Sequence, residues 1–166
     1  MTVGLVLGAG GVVGGAYHAG ALAALAEASG WDARDADVIL GTSAGAIIPG
    51  SYTVRGRPDK PILMAKGHER GFGFLKNIAI NPHLIGAHRE EQLIDVVDAH
   101  PELLGIGIDN STGIVVRGDE FEVIGESKVA IYDNIKRDGL WYYWLSAGDR
   151  FNLRTRTAQR QQTPSP

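Results

Sequence analysis

Ser43 lies in the stretch of the chain whose residue types and spacing point most directly to chemistry. The stretch reads Gly41-Thr42-Ser43-Ala44-Gly45, a Gly-x-Ser-x-Gly pattern, and a short apolar run at 38–40 precedes it. This order predicts a nucleophile elbow, in which a sharp turn between a strand and a helix holds the serine hydroxyl above the end of a sheet. A glycine-rich turn without a catalytic role is the alternative. Because the apolar run before it and the small residues after it fit the elbow, the pattern favours a serine hydrolase.

A second glycine-rich stretch, residues 8–15, follows the first predicted strand. A dinucleotide-binding loop would require an acidic residue at the end of the next strand, and the chain has Gly-Thr-Ser there. We therefore favour a loop whose backbone N–H groups bind the oxyanion that forms when a serine attacks a carbonyl. The predicted oxyanion donors are the N–H groups of Gly10, Gly11 and Ala44.

Alternating strand and helix signals predict an α/β fold with a short, mainly parallel sheet flanked by helices. We expect a parallel β-α-β unit made of a strand at 3–7, a helix at 16–28 and a strand at 38–40. Gly30 is expected to end that helix, because glycine adopts the left-handed conformation of a helix C-cap.

The rest of the chain predicts short elements and turns. An exposed loop is expected at 54–71, and the aromatic group at 141–144 is expected to pack a late strand or cover a sheet edge. Antiparallel strands are expected toward the C-terminus. The remaining predicted elements are a strand at 78–80, a helix at 90–99 with Leu93, Val96 and Val97 facing inward, and strands at 103–108, 113–116, 121–124 and 129–132.

Composition predicts one soluble domain. The chain has 166 residues, of which 44% are hydrophobic and 21% charged, with a formal net charge of -3. This charge gives no reason to expect nucleic acid as a partner, and the absence of cysteine excludes disulfides, thiolate metal sites and a cysteine nucleophile. We recognise no signal peptide and no membrane-spanning run, so a cytoplasmic location is expected. Neither a cofactor nor a metal site is predicted. We expect one hydrolase-type domain over 1–155 and a disordered tail over 156–166.

Residues 3–50 resemble the start of a bacterial patatin-like phospholipase, with a strand, a glycine loop, an alanine-rich helix and then Gly-Thr-Ser-Ala-Gly. In that family's Gly-x-Gly-x-x-Gly motif the matching positions are Ala9, Gly11 and Gly14. The resemblance implies a lipid acyl hydrolase with a Ser–Asp dyad. The nearest match to the family's Asp-Gly-Gly or Asp-Gly-Ala motif is Asp138-Gly139-Leu140.

Residues 38–155 resemble a different group, the cyanophycinase and peptidase E type of serine peptidase. The matching stretches run in the same order: Gly41-Thr42-Ser43-Ala44-Gly45-Ala46, Gly50-Ser51-Tyr52, Gly71-Phe72-Gly73-Phe74-Leu75, Asn81-Pro82-His83, Leu104-Gly105-Ile106-Gly107-Ile108-Asp109, Val123-Ile124-Gly125, Ala130-Ile131-Tyr132-Asp133 and Ser146-Ala147-Gly148-Asp149-Arg150-Phe151. The resemblance implies a Ser–His–Glu triad, in which Ser43 is the nucleophile and His83 the general base. The glutamate position holds Asn110, which can orient an imidazole ring without supplying a negative charge. Asp59 and Glu69 are named as substitutes for this third member.

The second resemblance also implies substrate recognition by three spaced arginines. The matching positions are Ala87, Arg89 and Gln92, so that Arg89 alone remains to bind a substrate carboxylate. An acidic peptide therefore stays open as the substrate.

Three functions follow from these residues. The leading hypothesis is a serine peptidase that cleaves a peptide or isopeptide bond. The first alternative is a patatin-like hydrolase of a lipid ester, and the second is a catalytically impaired remnant or binding protein. The two resemblances share the elbow at 41–45, which favours either a composite of the two families joined there or a truncated relative. Because only two strands precede the elbow, the sheet is expected to be narrow and its edges to need cover, which favours either a homodimer or marginal stability.

Overall fold

The computed structural model of the chain describes residues 2–55, 62–64 and 66–161. The chain divides into two compact units, Met1–Pro82 and His83–Pro166. The predicted single domain over 1–155 stays a prediction. The division follows Pro82, well after the predicted junction at 41–45. No helix of the described residues is both long enough and apolar enough to cross a membrane.

The first unit carries short parallel strand pairs. Its elements are β1 (Gly4–Leu7), α1 (Gly11–Ser29), a 3-10 turn (Ala33–Asp35), β2 (Val38–Gly41), α2 (Ala44–Ile47), β3 (Gly50–Tyr52) and β4 (Leu75–Pro82). In the predicted β-α-β order, β1 pairs in parallel with β2 in a two-stranded sheet. β3 pairs in parallel with β4.

Helix α1 begins five residues before the predicted start. It takes in most of the stretch predicted as a glycine loop, and its first turn is closed by the Gly14 N–H, which donates to the Gly10 carbonyl at 2.9 Å. A Cβ on Gly10 would lie 2.8 Å from the Cα of Gly14, so this first turn needs glycine. At the other end, Gly30 adopts φ 70 and donates its N–H to the Ala26 carbonyl, which confirms the predicted C-cap.

One face of the β1–β2 sheet is apolar and open. Val6, Val38 and Leu40 are 68%, 60% and 55% exposed. The register places Val6 opposite Leu40, and Val38 two residues along on the same face. On α1, the apolar side chains of Val13 and Tyr17 are also exposed. This part of the unit therefore presents apolar surface that the described residues do not cover.

The second unit is antiparallel throughout its described strand pairings. Its elements are a 3-10 turn (Ile85–Ala87), α3 (Gln92–Ala99), β5 (Leu104–Ile108), β6 (Thr112–Arg117), β7 (Glu120–Gly125), β8 (Lys128–Tyr132), β9 (Tyr143–Ser146), β10 (Arg150–Asn152) and β11 (Thr157–Gln159). β8 pairs with β5 and β9, and a four-stranded sheet has the order β11-β10-β7-β6. This confirms the predicted antiparallel strands toward the C-terminus. Connections as short as that between Arg117 and Glu120 allow only antiparallel pairing.

The core of the second unit forms where α3 and the sheets bury apolar side chains. Leu93, Val96 and Val97 of α3 are fully buried, as their helical spacing predicted. Phe121 and Phe151 stack between the paired strands β7 and β10 with ring centroids 5.3 Å apart. Each fully buried phenylalanine or leucine of such a core contributes roughly 1.5–3 kcal/mol.

Two predicted irregular segments differ from the structure. Within the predicted exposed loop at 54–71, Val54, Ile62 and Leu63 are buried, and the Arg55 N–H donates to the Ile62 carbonyl at 2.7 Å. Residues 56–61 and 65 lie outside the described residues. In the predicted disordered tail, β11 pairs with β10, because the chain turns back after Asn152. Residues 162–166 again lie outside the described part.

Candidate active site

Ser43 occupies the sharp connection between β2 and α2. Its φ is 51, a left-handed conformation that non-glycine residues adopt rarely and that is concentrated at functional sites. The Thr42 N–H donates to the Leu7 carbonyl at 3.0 Å, and the Gly45 N–H donates to the Thr42 carbonyl at 2.9 Å. These bonds tie the turn to the end of β1.

The two glycines of the Gly-x-Ser-x-Gly pattern are required by backbone packing. A Cβ on Gly41 would clash with the Gly45 carbonyl, and a Cβ on Gly45 would clash with the Leu7 carbonyl. The turn therefore closes only when neither residue has a side chain. This is the physical reason for the spacing that the sequence shows.

The predicted oxyanion donors lie in the same unit as Ser43. Leu7 and Gly41 are register partners at the ends of β1 and β2. Gly10 and Gly11 follow one strand and begin α1, whereas Ala44 follows the other and begins α2. The first N–H groups of a helix have no partner within it, which is the property an oxyanion donor needs.

His18 fixes the loop between β1 and α1. Its Nε2 donates to the Gly8 carbonyl at 2.9 Å. This contact with the backbone is a structural role for His18.

His83 is the first residue of the second unit, and both its backbone and its imidazole ring make hydrogen bonds. Its backbone N–H donates to the Ile108 carbonyl at 2.9 Å, and its φ is 63. Its Nδ1 lies 2.6 Å from the Oδ1 of Asn110. Because an amide oxygen only accepts hydrogen bonds, Nδ1 carries the proton in this arrangement. Nε2 is then the unprotonated ring nitrogen, which is the basic one.

Asp109, next to Asn110, makes hydrogen bonds that stabilise the backbone near His83 and Asn110. Its Oδ1 accepts from the Ile85 N–H at 2.9 Å, and its Oδ2 accepts from the Ser127 hydroxyl at 2.6 Å. Burial raises the pKa of the Asp109 carboxyl, but hydrogen bonds from the Ser127 hydroxyl and from the backbone N–H groups of Asn110, Ile85 and Gly86 lower it further, so the net shift is downward. The carboxylate therefore joins the segment after His83 to the turn that carries Asn110.

Arg55 is a residue that the sequence reasoning missed. Its Nη2 donates to the Oδ1 of Asn81 and, at 2.9 Å, to the carbonyl of Pro82, the two residues directly before His83. Asn81 is fully buried. The signal that could have found it is an asparagine in an apolar strand, since a buried amide needs a polar partner.

The other described residues named from the sequence lie in loops and turns. Arg89 follows the 3-10 turn, and its backbone N–H donates to the Leu84 carbonyl at 2.9 Å. The carboxylate of Glu69 accepts from the Gly67 N–H at 2.6 Å. Asp59 lies outside the described residues, and Asp138 occupies a tight turn between Arg137 and Leu140. The structure thus brings His83 and Asn110 together, and groups Ser43 with Gly10, Gly11 and Ala44.

Comparison with known proteins adds a family to this geometry. The model of peptidase family S51 matches residues 16–124, more than half of the chain. The chain belongs to peptidase family S51. This match starts within the stretch that resembles patatin-like phospholipases and covers most of it, and the comparisons give the patatin-like resemblance no support.

Curated relatives agree with the S51 assignment. A cyanophycinase of Geminocystis herdmanii is 31% identical over 134 residues, which cover 69% of this chain and 49% of the relative. A cyanophycinase of Trichormus variabilis is 31% identical over 72% of this chain and 46% of its own. One of Synechococcus elongatus is 29% identical over 79% of this chain and 46% of its own. The chain thus spans about half the length of the curated relatives it matches.

Proposed function

We propose that this S51 chain carries the catalytic residues of a serine-type peptidase of the cyanophycinase and peptidase E kind. The observation that carries the proposal is the 2.6 Å contact between His83 Nδ1 and Asn110 Oδ1. A histidine held in this tautomer by its neighbour is the arrangement expected of a general base. The strained turn at Ser43, between β2 and α2, supports its role as the nucleophile on an elbow.

The proposed reaction is acyl transfer to Ser43. Its Oγ attacks the carbonyl carbon of a peptide or isopeptide bond while His83 Nε2 accepts the hydroxyl proton. The oxygen of the tetrahedral intermediate receives hydrogen bonds from the N–H groups of Gly10, Gly11 and Ala44. His83 then gives the proton to the leaving amine, the C–N bond breaks, and water hydrolyses the acyl-enzyme by the same steps.

Asn110 takes the place of the charged third member in this proposal. Its amide oxygen orients the ring of His83 and selects the tautomer. It contributes less than a carboxylate to the imidazolium that forms during the reaction, because a neutral acceptor stabilises a cation more weakly than a charged one. We therefore expect slow but measurable turnover.

We also propose an acidic peptide as the substrate, with Arg89 binding one of its carboxylates. A guanidinium binds a carboxylate with two parallel hydrogen bonds, so one arginine is enough to place one acidic side chain. Replacing Arg89 by Gln should raise KM and leave labelling of Ser43 by a small probe unchanged.

A fluorophosphonate probe tests whether Ser43 is activated. We expect the probe to label the wild-type chain, and both Ser43→Ala and His83→Ala to abolish labelling. Labelling that survives His83→Ala would overturn the peptidase mechanism in favour of a Ser–Asp lipid acyl hydrolase, to be checked with a lipid ester. A wild-type chain that is folded but unlabelled would indicate the remnant or binding protein.

A further inference from the structure

Asn110 is followed by a small residue, which favours a chemical conversion of the asparagine itself. The peptide nitrogen after an asparagine can attack the side-chain amide carbon, close a cyclic succinimide and release ammonia, which is one source of the thermal lability of asparagine. A branched side chain on the next residue crowds that nitrogen, and proline has no N–H to lose. Ser111 follows Asn110, whereas isoleucine, leucine or proline follows each of the others: Asn77, Asn81, Asn134 and Asn152. By sequence, Asn110 is therefore the asparagine of this chain that converts most readily.

The fold leaves the two reacting residues accessible. Asn110 and Ser111 are exposed, and they lie in the connection at 109–111 between β5 and β6. The Ser111 carbonyl accepts from the Glu126 N–H at 2.9 Å, but in the described part of the chain no acceptor takes a hydrogen bond from the Ser111 N–H. The attacking nitrogen is therefore not held in a strand pairing or a helix cap, and water can reach the ring that forms.

His83 contacts the amide group that would be attacked. Its Nδ1 lies 2.6 Å from the Oδ1 of Asn110, with the proton on Nδ1. When the Ser111 nitrogen adds to the amide carbon, negative charge develops on Oδ1, the atom that the Nδ1–H already faces. A hydrogen-bond donor placed at a developing oxyanion lowers the barrier, and removing one such donor commonly slows a reaction roughly 10²–10³-fold. The contact that orients the imidazole therefore also activates the amide of Asn110.

We propose that Asn110 converts to aspartate in the folded chain and that the His83 imidazole promotes this conversion. The Ser111 nitrogen bonds to the side-chain carbon of Asn110, the bond from that carbon to Nδ2 breaks, and the proton lost from the Ser111 N–H leaves with Nδ2 as ammonia. Water then adds to the same carbon, the bond to the Ser111 nitrogen breaks and that nitrogen regains a proton. A carboxylate remains at residue 110.

The conversion changes the charge beside His83. The new carboxylate stands where the amide oxygen faces Nδ1, so it stabilises the imidazolium of the proposed serine mechanism. This consequence rests on the proposed function, whereas the conversion itself does not. Water that attacks the other carbonyl of the ring gives isoaspartate, which lengthens the backbone at this turn. We expect only the aspartate product to raise the reactivity of Ser43.

Peptide mapping of the full chain after incubation at neutral pH tests the conversion. Trypsin releases Asn110 in the peptide 90–117 and Asn134 in the peptide 129–136, and neither peptide contains another asparagine. Mass spectrometry measures the fraction in which the amide has become an acid, with the freshly prepared chain as the zero point. Endoproteinase Asp-N then cleaves before aspartate and not before isoaspartate, so cleavage between residues 109 and 110 identifies the product.

The same chain unfolded in guanidinium chloride gives the rate that the local sequence alone sets. We expect Asn110 to convert at least about tenfold faster in the folded chain, because only the folded chain places the His83 donor at Oδ1. Asn134 is the internal control, since it is exposed and followed by isoleucine, and it should convert no faster when folded. This comparison needs no substitution, so it decides even if a variant fails to fold.

Two histidine variants test the role of the imidazole. We expect His83→Ala to remove the advantage of the folded chain and His88→Ala to keep it. His88 is the matched control because it is an exposed histidine in the same segment, at the end of the 3-10 turn. An equal loss in both variants, or no loss in His83→Ala, would overturn the proposal.

Three further outcomes would also overturn it: a folded chain that converts no faster than the unfolded one, equal acceleration at Asn134, and isoaspartate as the sole product. Fluorophosphonate labelling separates this proposal from the catalytic one. Labelling that rises with the fraction of aspartate supports both. Conversion without such a rise supports the conversion and counts against residue 110 as the third member of the proposed triad.

Discussion

The functional group at residue 110 determines what hydrogen bond the imidazole of His83, the proposed general base, can make. The amide oxygen of Asn110 faces Nδ1 at 2.6 Å. A carboxylate in the same place would make a charge-assisted bond and stabilise the imidazolium that forms during attack. In the proposed mechanism, Asn110 therefore keeps the hydrogen bond that orients the ring and lacks the charge that would stabilise the imidazolium.

We predict that Asn110→Asp raises the rate of fluorophosphonate labelling roughly tenfold, about the difference between a neutral and a charge-assisted hydrogen bond. The added negative charge favours the protonated ring, so the pH profile of labelling should also move to higher pH. Asn134→Asp is the control, because Asn134 is an exposed asparagine with a similar left-handed φ of 61. An equal effect of both variants would argue for net charge as the cause.

At the scale of elements, the turn between β2 and α2 is defined by backbone contact. Gly41→Ala should prevent the turn from closing and strongly destabilise the chain, because its Cβ would meet the Gly45 carbonyl. Gly20→Ala is the matched control, since a Cβ there has nothing within 4 Å and Gly20 lies inside α1. We expect Gly20→Ala to raise the free energy of unfolding by about 0.5–1 kcal/mol. Urea unfolding followed by circular dichroism measures the free energy of unfolding of both variants. An unchanged value in Gly41→Ala would show that the turn can accommodate a Cβ at this position.

The Asp109 carboxylate connects the 3-10 turn that begins at Ile85 to Ser127, in the turn before β8. Its contribution to the free energy of unfolding depends on pH. Its folded pKa is lowered, so its stabilisation is present above the unfolded pKa of about 3.9 and is lost as the pH falls through the folded pKa. We predict that Asp109→Asn lowers the unfolding free energy at pH 7, and that the difference from wild type shrinks below about pH 4. Urea midpoints measured across this range test the sign. A difference that stays constant with pH would exclude a role for the charge.

The whole molecule presents an apolar face that its own described residues leave open. Val6, Val38 and Leu40 lie on one side of a two-stranded sheet, and large exposed apolar patches commonly mark interfaces. The homodimer expected from the narrow sheet thus stays a prediction with a defined surface.

We predict that the chain sediments as a dimer and that Val38→Lys shifts it to the monomer, because the buried charge would lack a partner. Ile135→Lys is the control, since Ile135 is an exposed apolar residue of the second unit. Analytical ultracentrifugation over a concentration series measures the association. A wild-type chain that stays monomeric throughout would show that no second copy covers this face.

The sequence by itself determined what depends on neighbouring residues. The glycine cap at Gly30 and the inward face of α3 follow from local spacing, and the structure has both. The nucleophile elbow at Ser43 stays a prediction, made from the spacing of the residues around it. The family followed from matches distributed along the chain. The start of α1 was not predicted correctly. The sequence pattern separated a glycine loop from the helix, whereas Gly10 and Gly14 pack closely enough to form the first turn of the helix.

Only the tertiary structure decided which distant groups meet. Asn110 is 27 residues from His83, Arg55 is 26 from Asn81, and Arg156 is 54 from Glu102. Such pairs depend on strand register and on how each turn is closed, and a shift of one residue in a strand would turn the side chains to the opposite face. For this reason the sequence could name His83 and Asn110 as candidates, whereas the atoms that face each other required the fold.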